Sequence, residues 1–470
     1  MNSKQSNESF RDSISTVDSE GKRIWVYPKK PGGKYTNYRT IVSVVLLALL
    51  FGGPFIRIDG EPLLMLNILE RKFIIFGNIF WPQDFHLFVF AMITGIVFII
   101  LFTVVFGRLF CGWVCPQTVF MEMVFRKIEY AIEGDYKQQM KLDKEPWNTK
   151  KIWKKSLKHL IFILISFLIG NTFLAYIIGS DELLKIINEP VEEHIGGLIS
   201  MFIFSGLFYG VFAKMREQVC TTICPYGRLQ GVLLDRNSLV VAYDYKRGER
   251  TEGRAKYRKD EDREELGKGD CIDCGQCVYV CPTGIDIRNG TQLECVNCTA
   301  CMDACDYMME SVNLKKGLIG YKSEESIANR VPFKITTRII GYMVVLAILV
   351  GIISTLLWSR SDIETSILRV PGVMYQKQED GRISNLYNFK VINKANDDIN
   401  VRFELLEKQG EIKLVGTLDE VKKQEIMEGA LFVILENNSR EGLKTPVEIG
   451  VYNGDKLLET VSTNFMGPAK

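Results

Sequence analysis

Twelve cysteines lie between Cys111 and Cys305 of a 470-residue chain, and their spacing sorts them into four groups. Cys271, Cys274, Cys277 and Cys281 form one run, closed by Pro282. Cys295, Cys298, Cys301 and Cys305 form a second, with Asp306 where the first has its proline. Each run sets cysteines at i, i+3, i+6 and i+10. Three closely spaced thiolates can wrap one face of an iron–sulfur cubane, and in two-cluster proteins the fourth ligand of each run serves the other cluster. One [4Fe–4S] cluster is therefore expected on Cys271, Cys274, Cys277 and Cys305, and a second on Cys295, Cys298, Cys301 and Cys281. Disulfides need an oxidising compartment and a zinc site needs only four ligands. A spacing repeated twice in this form belongs to clusters, and the segment reads as an electron wire rather than a catalytic centre.

The other four cysteines make two matched pairs, Cys111-Gly-Trp-Val-Cys115-Pro116 and Cys220-Thr-Thr-Ile-Cys224-Pro225. A spacing of i, i+4 puts two thiols on one helical face, and the proline is expected to end or kink the turn. Two such pairs can converge into one four-sulfur site. Soft thiolates select Cu(I), zinc or iron–sulfur centres, whereas unliganded buried cysteines would act as small apolar residues. The duplication favours a metal or redox site, and the spacing leaves copper and a further iron–sulfur cluster both open. Other ligands are scarce. His86, His159 and His194 fall on different sides of the apolar blocks, so no bis-histidine haem pair is expected, and Cys-x-x-Cys-His is absent. Neither a phosphate loop nor a dinucleotide fingerprint is present.

These ligands need elements to hold them. Hydrophobic residues make up 47% of the chain and charged residues 24%, an average that hides very apolar blocks. Five stretches lack Asp, Glu, Lys and Arg over nearly a bilayer's thickness: Thr40–Ile56, Phe85–Gly107, His159–Ser180, Ile195–Ala213 and Ile339–Trp358. Each cysteine pair follows a returning apolar block, so the first two blocks read as a repeat of the second two. Lys and Arg alternate in the flanks, with 8 in residues 1–39, 3 in 57–84, 11 in 108–158 and 1 in 181–194. The positive-inside rule then sets the N-terminus and the cysteine-rich segment on the cytoplasmic side and the tail outside. The segment Phe73–Trp81 is too short to span; a hairpin and an interfacial segment are both open, and lining the outer membrane surface is the favoured reading. A basic run from Lys246 to Lys259 is expected to be a solvated loop near anionic lipid, with docking of an acidic electron donor as the alternative. Net charge is +2, which gives no footprint for nucleic acid.

Beyond the fifth block the pattern changes to strand-like runs: Tyr387–Ile392, Asn400–Leu406, Glu411–Val415, Ala430–Leu435 and Val447–Tyr452. Their spacing and the length of the tail suit an all-β immunoglobulin-like sandwich. The expected fold is a five-helix transmembrane bundle, a two-cluster ferredoxin-like α+β insert and this sandwich. The segments are 1–39 as a basic arm, 40–213 as the four-helix part and 214–338 as the cluster domain, with its ferredoxin module at 265–315. A fifth span, 339–358, and the tail, 359–470, complete the chain.

The insert resembles bacterial two-cluster ferredoxins over 265–315. Taken whole, the order of basic arm, two hairpins with Cys-x-x-x-Cys-Pro, insert, fifth helix and sandwich resembles the cytochrome c oxidase accessory proteins called CcoG, FixG or RdxA. The hairpins are also similar to NapH-type quinol dehydrogenase membrane subunits. The resemblance implies a bacterial inner-membrane protein acting in maturation of cbb3-type cytochrome c oxidase, with two [4Fe–4S] clusters and copper. Cu(II) would be reduced to Cu(I), with Cys111, Cys115, Cys220 and Cys224 binding the metal. Implied partners are membrane lipid, oxidase subunits or a copper chaperone or transporter, a cytoplasmic or quinol electron donor, and a second copy in a homodimer. A quinol-linked relay to an external acceptor and a non-catalytic scaffold are the alternatives.

Overall fold

The computed structural model describes residues 16–468 apart from 19, 21, 59, 69–71, 260, 362, 373, 379–380, 395–396, 417–419, 424 and 440. The first fifteen residues of the basic arm lie outside the described residues. Two compact units are present. The first comprises residues up to 56, 64–67 and 88–351, and the second 57–63, 68–87 and 352–470.

Five helices are long and apolar enough to cross a membrane: α1 (Lys34–Gly52), α2 (Phe85–Phe106), α3 (Thr149–Ile178), α4 (Ile195–Gly210) and α5 (Thr337–Trp358). The chain itself buries between 6% (α5) and 28% (α3) of their most apolar windows. Most of each surface therefore needs an apolar solvent. After α1 the chain makes a 3-10 turn, Gly53–Phe55, with Pro54 within it. Helix α3 begins ten residues before its charge-free stretch. Asn148 caps it by accepting from Lys151 N, and Lys155 and Lys158 find acidic partners in Glu133 and Asp143. Paired lysines extend the helix beyond the length that apolarity alone marks. Where α3 meets α4 and the segment after α2, Phe125 stacks on Phe212 at 4.6 Å and meets Phe162 edge-on at 4.7 Å.

The cysteine-rich segment folds into the same unit. Its two strands, β1 (Val240–Tyr243) and β2 (Ile319–Lys322), pair antiparallel with Val240 opposite Lys322. Two helices, Gln276–Tyr279 and Ala300–Ser311, follow the two loops of closely spaced cysteines. Val241, Tyr243, Ile285, Ile287, Met309 and Leu318 pack with the cysteines in one buried core.

In the second unit, β3 (Ile363–Arg369), β4 (Gln376–Lys377), β5 (Ile383–Asn393), β6 (Val401–Leu405), β7 (Gly410–Val415), β8 (Ile426–Leu435), β9 (Lys444–Asn453) and β10 (Lys456–Met466) form two antiparallel sheets. The orders are β7-β8-β5-β3, with β4 on β5, and β6-β9-β10. Alternating inward residues, among them Val391, Val433, Ile449, Val451 and Phe465, fill the core. The sandwich expected from the tail's patterning is present. Strands β3, β4 and β10 are additions to the sequence reading, and every expected strand is found with shifted ends. The segment Phe73–Trp81 is mainly a β-hairpin, pairing Phe73 with Phe80. It belongs to this unit: Arg360 donates to Ile79 O, and Asp84, just beyond, takes ion pairs from Arg360 and Lys394.

Candidate metal centres

The two ferredoxin-like loops have the same backbone. In Cys271–Cys277 the left-handed residues are Asp273 (φ 52°) and Gly275 (φ 67°); in Cys295–Cys301 they are Asn297 (φ 52°) and Thr299 (φ 64°). Each lies two or four residues after the first cysteine. A β-branched residue at positive φ is rare, and Thr299 is wholly buried. Such alternation turns successive N–H groups into a concave, anion-accepting nest. Two small spaces adjoin these loops. The larger is lined by Cys277, Cys281, Cys295, Cys298 and Cys301. The smaller is lined by Cys271, Cys274, Cys277 and Cys305. Each contains the fourth cysteine of the opposite run, so the sulfur donors fit two clusters with exchanged ligands. Burial above all pushes the Cys277 and Cys295 thiols up to about 12 and Cys298 up to about 11. Metal binding must displace their protons. Asp306, in the place of a proline, accepts from Gly317 N at 2.8 Å and holds the following turn.

The membrane-proximal pairs have a shared geometry, different from the expected one. Cys115 and Cys224 are both extended, and each donates its N–H five residues back, to Phe110 O at 2.9 Å and Val219 O at 2.8 Å. The pairs therefore do not lie on one face of a regular α-helix. The prolines start helices rather than ending them: Pro116 and Pro225 occupy first positions, where a missing N–H costs nothing. The repeat extends upstream. Gly107 (φ 55°) and Arg216 (φ 53°) stand four residues before the first cysteine of each pair, both left-handed.

The two hairpins clasp each other. Arg108 of the first donates to Gly227 O of the second. Gln230 Nε2 donates to Cys111 Sγ at 3.3 Å, and Thr103 and Tyr226 hydroxyls bond at 2.7 Å. The four thiols come within electrostatic reach of one another: Cys115 and Cys224 act on Cys111, and all three act on Cys220. Burial, reinforced by these neighbours, pushes Cys220 up to about 12.

The first hairpin also docks the ferredoxin-like segment. A Cβ on Gly112 would stand 2.5 Å from Val296 O and 2.7 Å from Asn297 O, so only glycine lets the two cysteine loops meet backbone to backbone. Arg39 Nε donates to Gly112 O at 2.6 Å, and Trp113 Nε1 donates to the Tyr321 hydroxyl at 3.1 Å. Arg108 sits where its charge acts on both Cys111 and Cys295. Asp303, on the helix after the second loop, accepts from Tyr35 N and Thr36 N and caps the start of α1.

Behind the pairs lies a buried ionic cluster that the sequence reading missed. Arg216 makes a bidentate pair with Glu129 at 2.7 and 3.1 Å. Arg126 pairs with Glu122, and Lys158 with Glu133, each at 2.9 Å. The guanidinium groups of Arg23 and Arg216 lie 4.3 and 4.8 Å from the Trp25 ring centroid. Charged residues within a few positions of an apolar block were the available signal, but pairing them needs the fold. His159 bonds the Tyr209 hydroxyl at 2.9 Å. In the basic run, Arg247, Arg250 and Arg254 have carboxylate partners within the segment.

Apolar spanning helices, paired thiol sets and a ferredoxin-like segment in contact with them define an iron–sulfur electron-transfer protein of the membrane. Family comparisons agree. A 4Fe-4S dicluster domain matches residues 215–324, a 4Fe-4S binding domain matches 88–132, and the immunoglobulin-like fold found at the C-terminus of FixG matches 353–468. The chain is 33% identical to protein RdxA of Cereibacter sphaeroides over 81% of its own length and 82% of the relative's. It is 32% identical to RdxB of the same organism over 80% of each chain. Nitrogen fixation protein FixG of Rhizobium meliloti is 36% identical over 64% of this chain and 57% of FixG. The chain belongs to the FixG/RdxA family.

Proposed function

We propose that this protein acts in the assembly of a cbb3-type cytochrome c oxidase by reducing Cu(II) to Cu(I) at the site formed by Cys111, Cys115, Cys220 and Cys224. The observation that carries the reading is the backbone contact of Gly112 with Val296 and Asn297, which joins that site to the loop of Cys295 and Cys298. Cys271, Cys274, Cys277 and Cys305, and Cys281, Cys295, Cys298 and Cys301, would hold two clusters, whose chemistry would be the supply of single electrons. Cu(II) gains one electron and becomes Cu(I), the soft ion that thiolates favour. The alternation of Lys and Arg supports a bacterial inner-membrane protein with the cluster segment in the cytoplasm and the sandwich in the periplasm. There the sandwich is available to oxidase subunits or a copper carrier.

The test is anaerobic. Full-length protein is reduced, freed of reductant and mixed with Cu(II) in the presence of a Cu(I)-specific chelator. Cu(I) should form as the EPR signals of the reduced iron–sulfur centres disappear. Replacing the four cysteines by serine should abolish Cu(I) formation while the ferredoxin EPR signals persist. Undiminished copper reduction in that variant would refute the site.

A cavity of about 550 Å³ favours a second reading, a quinol-linked relay. Its walls include Tyr35, Phe102, Phe106, Trp113 and Tyr321, a size and aromaticity suited to a quinone ring. Reduction of the iron–sulfur centres by a water-soluble quinol would support it, and their failure to respond would exclude it.

A further inference from the structure

We propose that the corner before α3, residues 137–154, is a binding surface for anionic phospholipid headgroups. The helix Tyr136–Lys144 and the first turns of α3 form it. Lys137, Lys141, Lys144 and Lys150 are exposed, Lys154 is half-buried, and none has a carboxylate partner among the described residues. Two acidic side chains lie in the same stretch, Asp143 and Glu145. Asp143 is taken up by Lys155 at 2.6 Å and by the Tyr27 hydroxyl, which leaves Glu145 alone against those five lysines. Polybasic segments beside a spanning helix attract anionic lipid.

The corner also carries aromatic anchors. Trp147 and Trp153 are 73% and 68% exposed, and Ile152 between them is exposed too. Tryptophan is enriched at the membrane–water interface, where its apolar ring meets the headgroups. A rise of about 1.5 Å per helical residue puts Trp153 about 9 Å before His159, where the charge-free stretch of α3 begins. That is about the depth of the headgroup layer, and Lys150 lies one turn farther out. The corner is fixed before any lipid binds. The buried Lys151 donates to Asp143 O at 2.9 Å and to Glu145 O at 2.6 Å, and its ammonium lies 5.1 Å from the Trp147 ring centroid.

The basic run from Lys246 to Lys259 is the rival surface. There Arg247, Arg250 and Arg254 are spent on Asp270, Glu264 and Glu249. The run contains no tryptophan and adjoins no spanning helix in sequence. The corner before α3 is in addition tied to the ferredoxin-like segment. Asp135 accepts from Lys30 N at 2.8 Å, and Tyr136 stacks on Tyr279, in the helix after the first cysteine loop. A corner held on the membrane surface therefore holds that segment as well.

Full-length protein in neutral detergent is titrated with phosphatidylglycerol or phosphatidylcholine, and bound lipid is counted by native mass spectrometry. Phosphatidylglycerol should bind in preference. The preference should fall about fivefold in Lys150→Gln, the equivalent of about 1 kcal/mol for one lysine near the surface, and be kept in Lys150→Arg. It should be nearly lost when Lys137, Lys141, Lys144, Lys150 and Lys154 are all changed to Gln. Unchanged iron content shows that a variant is folded, and the single changes decide if the fivefold variant is not. Equal binding of both lipids by the unaltered protein overturns the proposal and leaves the lysines to an acidic protein. A preference untouched by the lysine changes also overturns it. So does a preference lost instead in Lys256→Gln/Arg258→Gln/Lys259→Gln, which would move the lipid surface to the rival run. Equal competition by soluble glycerol phosphate would make the corner a site for free anions and overturn the lipid as its occupant.

Discussion

The ferredoxin-like runs and the membrane-proximal pairs each gather four sulfurs, but use the chain in opposite ways. In the runs, three ligands come from seven consecutive residues and the same left-handed backbone recurs at Asp273 and Asn297 and at Gly275 and Thr299. In the pairs, no local stretch supplies more than two. Convergence depends on contacts such as Arg108 with Gly227 and Gln230 with Cys111, across 119 residues. A centre built from a local loop tolerates change in the surrounding scaffold. A centre built across two hairpins inherits the stability of everything that presses them together.

That contrast can be broken most forcefully at Arg216. Arg216→Ala removes the bidentate partner of buried Glu129 and leaves it only Lys158 at 3.8 Å, and a broken buried pair costs about 3–5 kcal/mol. Thermal unfolding in detergent should show the loss. The membrane-proximal site should suffer before the ferredoxin signals; equal loss of both would mean that the two centres share one stability. Cys281→Ser tests the local runs. It should remove the signal of the cluster on Cys295, Cys298 and Cys301, about half the ferredoxin spins, and spare the cluster of its own run. Loss of the signal tied to Cys271, Cys274 and Cys277 instead would show that the ligands are not exchanged.

Gly112→Val probes the junction between the two kinds of site. Its side chain must displace the Val296–Asn297 backbone, an overpacking worth about 1–3 kcal/mol. Cu(I) formation should slow while the iron content stays the same. Unchanged rates would place electron entry elsewhere. The smallest effect belongs to Gln230→Leu, which removes one hydrogen bond to Cys111, worth about 1 kcal/mol. It should shift the potential of the membrane-proximal centre in a redox titration and leave the ferredoxin potentials where they are.

Much of this was legible because it is local. Cysteine spacing at i, i+3 and i+6 is a property of one loop, and apolar length is a property of one helix. Cys271, Cys295 and the five spans could therefore be recognised residue by residue. The i, i+4 pairs misled in detail for the same reason. An α-helical rule was applied where Pro116 and Pro225 begin new helices and the preceding turns close over five residues. The early start of α3 was hidden because Lys151, Lys155 and Lys158 look like the end of an apolar block until their partners are known.

By itself the sequence determined the ligand types, the doubled ferredoxin pattern, the five apolar helices and the sandwich of the tail. Each follows from periodicity or spacing within a short window. Only the tertiary structure decided that Cys111 and Cys115 face Cys220 and Cys224, that Gly112 lies against the second ferredoxin-like loop, and that Asp303 caps α1 from 268 residues away. It also decided that Arg216 and Glu129, 87 residues apart, neutralise each other behind the site. The physical reason is that long-range pairing of buried charges and close backbone approach depend on the packing of whole helices, which no local pattern encodes.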